Sequence, residues 1–257
     1  MWRVTSYTRY SQFLDLQLTF RIPAAQGLPV LLEASAPERT FSSVLVPGGG
    51  RGTNLLPFHE INSEKLEGAV NQLSMEDKMN AVADVIACMQ KAPQEAPNYS
   101  SLQSKGIMAL FLLCQNSSEI RKHIVDNGGL DVIKSVMTGR FADSGQFSEC
   151  KILAQACATL YSISIEPRIR NKMTEQGAVE MLFNAINDHK ENTQVGKMAL
   201  MALDLLTCKT SESSGTAIRK LGELEFLNIL LEIQDQYGST KYFEDIFNTL
   251  IQYPSGT

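Results

Sequence analysis

The side chains of this sequence that could do chemistry are three histidines, five cysteines and the residues around one glycine-rich run. The run, "VPGGGRGTN" at 46–54, invites comparison with a phosphate-binding loop. Such a loop needs the GxxxxGK[ST] spacing, a lysine that reaches the phosphates and a helix that begins directly after it. Here the spacing is unmet, the lysine is missing and no helical pattern follows, so a mobile turn is expected. His59, His123 and His189 lie in different contexts, with no Ser or Cys in an elbow motif nearby. His123 follows Arg121 and Lys122 in an amphipathic stretch and reads as an exposed histidine. Cys88, Cys114, Cys150, Cys157 and Cys208 form no CxxC and have no histidine at metal-ligand spacing. Their helical, mostly apolar surroundings predict buried thiols in a reducing compartment. Glu149 and Asp143 have no reason to meet across a site. The chain is therefore expected to be no enzyme, with no catalytic group, metal or cofactor.

What positions these side chains is a chain of 257 residues whose 44% hydrophobic and 20% charged content is that of a globular protein with a substantial core. The longest apolar run, Ile107 to Cys114, is far short of the roughly 20 residues that cross a bilayer, so no membrane insertion is expected. Residues 1–58 carry five Lys/Arg against three Asp/Glu, and the remainder eighteen against twenty-five, a net of −7. A nucleic-acid surface draws its affinity from clustered Lys/Arg, so an acidic body with no basic run longer than Arg121-Lys122-His123 argues against one. The start lacks a secretory apolar region, although Arg3, Arg9 and Arg21 against the single acid Asp15 share the composition of a mitochondrial transit segment. A cytoplasmic or cytoskeletal location is expected, with a mitochondrial one as the alternative.

Organisation changes near residue 60. Pro23, Pro29, Pro37, Pro47 and Pro57 exclude long helices before it, so 1–58 is expected to be an extended, partly β arm, with 59–257 a helical domain. Within the arm, Leu14, Leu16, Leu18, Phe20 and Ile22 alternate with Asp15, Gln17, Thr19 and Arg21, the two-residue period of a half-buried strand. "PVLLEA" and "TFSSVLV" are candidate shorter partners. A sheet that small needs cover for its apolar face, from the helical body or another protein, which makes this strand a candidate partner-binding element.

Beyond residue 60 the pattern is helical and repetitive. "DNGGLDVI" at 126–133 is followed 49 positions later by "EQGAVEML" and 45 further on by "KLGELEFL". Gly128, Gly177 and Gly222 align, each expected to let the chain leave one helix in a left-handed conformation and start the next at a steep angle. Upstream of each lies a short amphipathic stretch: "SEIRKHIVDN", "PRIRNKMTEQ" and "GTAIRKLG". Downstream comes a helix with i, i+3, i+4 apolar spacing, then a longer one: "CKILAQACATLYSIS", "GKMALMALDLLT" and "KYFEDIFNTLIQY". "LQSKGIMALFLLC" reads as an earlier copy of the closing helix, with "SEKLEGAVNQL" and "MEDKMNAVADVIACMQ" before it. Helices this apolar can bury their faces only by stacking on the next unit.

This order of a short helix, a glycine-led second helix and a long third helix resembles the armadillo repeat. The resemblance covers residues 60–252 and about four units. It implies an all-α fold, a right-handed armadillo-like solenoid behind the N-terminal arm. The spacing exceeds the usual repeat of about 42 residues, and "KAPQEAPN" and "GRFADSGQFS", between second and third helices, would absorb the difference. In that family the third helices line a concave groove, and some members set a ladder of Trp and Asn there that grips peptide backbones. The resemblance carries the Trp positions onto Met108, Ala158 and Met201 and the Asn positions onto Leu112, Ser162 and Leu205. The ladder is absent, so clamping of basic peptides is not expected. What remains is a partly Met-rich lining suited to a hydrophobic helix, or else positions spent on the solenoid's own packing.

The leading expectation is a non-enzymatic scaffold and subunit of a hetero-oligomeric assembly, holding other proteins by the concave face and the arm. The alternative is a regulatory cofactor of a soluble enzyme, of the chaperone- or phosphatase-adaptor kind.

Overall fold

The computed structural model describes residues 43–46, 54–57, 70, 73–92, 99–115, 117–139, 149–208, 214–237 and 240–252. The chain forms two compact units, Met1–Asp84 and Val85–Thr257. In the first, β1 (Ser43–Val46) pairs antiparallel with β2 (Asn54–Pro57), Val44 opposite Leu56 and Leu45 opposite Leu55. The glycine-rich run thus spans the connection of a β-hairpin. The expected "TFSSVLV" strand supplies its last four residues to β1; its partner, "NLLP", has no strand period by which to foresee it. The candidates Leu14, Leu16, Leu18, Phe20 and Ile22, with "PVLLEA" and most of "SEKLEGAVNQL", lie outside the described residues.

Eleven α-helices follow among the described residues: α1 (Met75–Lys91), α2 (Tyr99–Cys114), α3 (Ser118–Asp126), α4 (Gly129–Thr138), α5 (Glu149–Ser164), α6 (Arg170–Glu175), α7 (Ala178–Asp188), α8 (Thr193–Thr207), α9 (Ser214–Glu223), α10 (Phe226–Tyr237) and α11 (Lys241–Gln252). Helix α1 begins in the first unit and ends in the second. Its start is set by Ser74, whose Oγ accepts the Asp77 N–H at 3.1 Å and donates to the Asp77 carboxylate at 2.7 Å. Ser117 and Asn192 do the same for α3 and α8: their side-chain oxygens accept from Ile120 N, and from Gln194 N and Val195 N.

The corners between α3 and α4 and between α6 and α7 are made as the glycine spacing predicts. Gly128 and Gly177 hold φ of 81° and 87°, the left-handed region that a Cβ disfavours. The third corner departs from that reading. Gly222 lies inside α9, and the left-handed residue is Glu225, at φ 53°, one residue before α10. The chain is held there by Leu224 N–H donating to Lys220 O and Glu225 N–H to Gly222 O, both at 3.0 Å.

Packing in the Val85–Thr257 unit runs in series. Helix α2 lies on α5, α5 on α8 and α8 on α11, while α4 contacts both α5 and α7, and α9 rests on α7. The described part of this unit is all-α. Its core is the sum of these contacts. Ile107, Leu110, Ile152, Leu153, Leu160, Ile163, Leu182 and Leu203 are each at most 1% exposed, and truncating such a side chain to Ala costs ~2–5 kcal/mol. Phe226 adds an edge-to-face contact with Phe183, ring centroids 5.8 Å apart. Tyr237, closing α10, donates its hydroxyl to Lys190 O at 2.9 Å and Asn192 O at 3.1 Å, tying α10 to the α7–α8 connection.

The corners make opposite predictions for two substitutions. Gly177→Ala should lower the unfolding free energy by about 1–2 kcal/mol, because it puts a Cβ where the backbone excludes one. Glu225→Gly should raise it by about 0.5 kcal/mol, part of the gain being offset by the freer unfolded chain. Urea unfolding of both variants checks this; effects of the same sign would contradict the assignment.

Candidate functional site

The six residues that the armadillo resemblance places on a concave face sit on consecutive helices of the packed series. Met108 and Leu112 are on α2, Ala158 and Ser162 on α5, and Met201 and Leu205 on α8. Met108, Leu112, Ala158, Ser162 and Met201 are buried, and only Leu205 is half-buried. The reason is local. From Ile107 to Cys114 every residue of α2 is buried, so no side of that stretch is left for an open lining. Ser162 is spent on an internal bond, its Oγ accepting from Gln115 Nε2 at 3.1 Å. Five of the six positions are thus buried, and Leu205 is half-buried.

A polar cluster lies where the third helices end. Arg170, 5% exposed, donates Nε to Ser164 O at 2.6 Å and Nη2 to Ile165 O at 3.4 Å, closing the C-terminus of α5. Its Nη1 has no hydrogen-bond partner among the described residues. Arg170 interacts electrostatically with Cys208, Glu166 and Asp204, and Asp204 in turn with Asp245 and Lys241 of α11. Burial, and then the neighbouring Asp245, push the Asp204 carboxyl up to about 6, while Lys241 and Arg170 pull the other way. The same arginine recurs 49 residues earlier, where Arg121 donates Nη2 to Gln115 O, beyond the end of α2. The third copy breaks the pattern: Arg219 is exposed and, among the described residues, meets Glu223 at 3.9 Å. The Ile-Arg pairs at 120–121, 169–170 and 218–219 keep an even 49-residue step, and that signal was open to sequence reasoning.

Lysines of the first helices bridge between layers. Lys172 meets Asp126 at 2.7 Å, and Lys220 binds both the Glu180 carboxylate and Thr174 O. The Lys172–Asp126 pair is exposed and contributes little stability, while the Lys220 pair is half-buried.

The cysteines are less uniform than the sequence predicts. Cys114 and Cys157 are fully buried, which pushes both thiols up to about 12. Cys88, Cys150 and Cys208 are only half-buried. Cys150 Sγ lies 4.0 Å from His189 Nδ1, a pairing of α5 with the end of α7 that linear spacing hides. No three His, Cys, Asp or Glu side chains converge as a metal site among the described residues, and no helix there is long and apolar enough to cross a membrane.

With this geometry in view, two solved structures are similar to the chain. One is a crystal structure of an engineered protein from the Northeast Structural Genomics Consortium, 19% identical, with 76% of this chain covering 77% of that one at a TM-score of 0.54. The likeness is one of fold. A second engineered protein from the same consortium is 18% identical, with 75% of this chain covering 44% of it at a TM-score of 0.48. No protein-family model matches the chain, and no curated protein is similar to it in sequence.

The Asp204 carboxyl gives the cluster a pH signature. Its folded pKa lies above the ordinary 3.8, so the stability it lends is present below about pH 3.8 and is lost as pH rises towards about 6. Asp204→Asn should therefore match the parent near pH 4 and exceed it above pH 6, by on the order of 1 kcal/mol once solvent screening of a half-exposed group is allowed for. Chemical unfolding of both proteins from pH 4 to 8 reads the difference; a pH-independent one would remove the burial of charge as its cause.

Proposed function

We propose that this chain is a non-enzymatic scaffold, built as an armadillo-like solenoid of about four three-helix units and working as a subunit of a hetero-oligomeric assembly. The order of helix contacts supports the solenoid reading, since among the described residues each third helix lies on the next and no sheet packs on them. One observation carries the functional reading. In the last layer, Leu231 and Ile251 are 53% and 52% exposed and Tyr242 is 36% exposed. In a stack, apolar side chains that the described layers do not cover need a further layer or a partner over them. Large apolar side chains left in water favour a partner over them. The absence of a peptide-gripping ladder and the burial of the third-helix positions favour docking at the end layer over threading of a peptide through a groove. The arm, with its alternating apolar pattern at 14–22, is the second contact in this reading.

Leu231→Glu with Ile251→Glu should leave the helical circular dichroism unchanged and reduce recovery of copurifying subunits at least about tenfold. Deletion of residues 1–58 should weaken assembly with the same preservation of helix content. A double variant that keeps its partners at fixed stoichiometry through high-salt washing would refute docking at the last layer. Partners that dissociate in dilution as a one-to-one complex with a soluble enzyme would replace the subunit reading with a regulatory one.

A further inference from the structure

The third helices of successive layers can be laid on one another by their buried stripes. Ala199, Ala202 and Leu206 of α8 match Phe243, Ile246 and Leu250 of α11 at a constant 44-residue step, and all six are buried. Beside that stripe α5 and α8 share a second one. It is Cys157, Leu160 and Ser164 on α5 and Leu200, Leu203 and Thr207 on α8, none more than 4% exposed. The same step carries it onto Glu244, Phe247 and Ile251 of α11. There the cover is missing: Phe247 is half-buried, Glu244 is exposed and Ile251 is 52% exposed.

The neighbours of the two helices say which flank this is. Helix α11 rests on the preceding third helix, α8, and on α9 and α10 of its own layer. Helix α8 has the corresponding neighbours α5 and α7, and in addition α9, α10 and α11 of the layer that follows it. The stripe covered on α8 and open on α11 is therefore the one that a following layer takes. Leu231 of α10 leads to the same flank. It stands six residues after the left-handed Glu225, as Phe183 stands six after the left-handed Gly177. Phe183 meets Phe226 of the next layer edge to face, whereas Leu231 is 53% exposed. The open surface thus continues, on both helices, the contact that one described layer makes with the next.

Charge separates the possible occupants. Where the covered copies of the stripe begin with Cys157 and Leu200, this one begins with Glu244, which pairs with no Lys or Arg among the described residues. Glu232 is already paired with Lys190, which leaves Asp235, Glu244 and Asp245 against the single base Lys241 on α10 and α11. A second copy of the chain would bring two such acidic faces together, and like charges oppose that. The matching occupant is a helix with an apolar stripe for Leu231, Phe247 and Ile251 and a basic side chain at its rim for Glu244.

We propose that this surface takes an amphipathic helix of a partner protein, stacked as a further third helix would be, with a Lys or Arg that meets Glu244. This occupant rests on the scaffold reading and deepens it by giving the partner's chemistry.

The test uses the full chain and two synthetic helical peptides that share one leucine stripe at i, i+3, i+4 and i+7 spacing. One carries Lys beside the stripe and the other Glu. By fluorescence anisotropy the lysine peptide should bind with a Kd of about 10–100 µM, and the glutamate peptide at least about tenfold more weakly. Glu244→Gln should narrow that preference. Glu244→Lys should weaken the lysine peptide at least about fivefold and strengthen the glutamate peptide, with the helical circular dichroism unchanged. Ile251→Glu should weaken the lysine peptide about tenfold although it adds negative charge, because it removes apolar contact. Binding of neither peptide, equal binding of both, or a preference unmoved by Glu244→Lys would overturn the proposal. So would tighter binding of the lysine peptide in Ile251→Glu, which is adherence by charge alone. Self-association of the chain at micromolar concentration that Ile251→Glu disperses would make a second copy the occupant instead. The peptides need no natural subunit, so this failure is distinct from a failure to copurify one, and either can occur without the other.

Discussion

Helix α5 has water on only one narrow side. Twelve of its sixteen residues, from Ile152 to Ser164, are buried, between α2 on one flank and α8 on the other. A helix that is apolar nearly all round cannot be stable alone in water, and short helices gain most of their stability from tertiary burial rather than from propensity. The same demand is set by α2 and α8. The series α2, α5, α8, α11 is thus a chain of mutual dependence: each member supplies the apolar surface that its neighbour lacks. The short helices α3, α6 and α9 and the middle helices α4, α7 and α10 have strongly one-sided patterns and close the outside of that series.

Polar contacts inside the series fix how one helix sits on the next. Ser104 Oγ donates to Gln155 Oε1 at 3.2 Å, and Thr159 Oγ1 reaches both Gln155 O and Ile107 O. The Ser104–Gln155 and Thr159–Ile107 bonds cross from α2 to α5 at two heights, so sliding one helix along the other would break both and strand buried polar groups. Arg121 and Arg170 extend the same logic to the ends of the series, each occupying carbonyls that a terminating helix leaves open. Among the described residues of the layer that follows, Arg219 pairs with Glu223 instead, and Leu231, Tyr242 and Ile251 stay in contact with water.

Much of this is legible in the residues. The long apolar helices announce themselves by composition: "LQSKGIMALFLLC" and "GKMALMALDLLT" fall within α2 and α8. Gly128 and Gly177 announce the corners because only glycine adopts φ near 80° at little cost. Gly222 misleads for a physical reason. A helix tolerates a glycine, and the hydrogen bonds at Leu224 and Glu225 make the third turn without one, at a strain that Glu225 bears. The Ile-Arg step of 49 residues is the steadier ruler, since the arginine is fixed by the carbonyls it must reach. Less legible are the sites. Met108, Leu112, Ala158, Ser162 and Met201 look like an open lining when placed by family resemblance, and burial depends on neighbours that a single helix pattern does not contain. A small pocket walled by positions 89–92, 99–103 and 131–135 is invisible in sequence for the same reason, since only packing brings those positions together.

The dependence of each long helix on its neighbours is tested most directly by native-state hydrogen exchange, read amide by amide. Stacking of this kind predicts the greatest protection in α5 and α8, which are covered on both flanks, and a graded decline through α10 and α11 towards the end of the chain. Equal protection in all the helices, or the slowest exchange in α10 and α11, would mean that the interior is closed in some other way, and that layer-on-layer burial is not what holds this protein together.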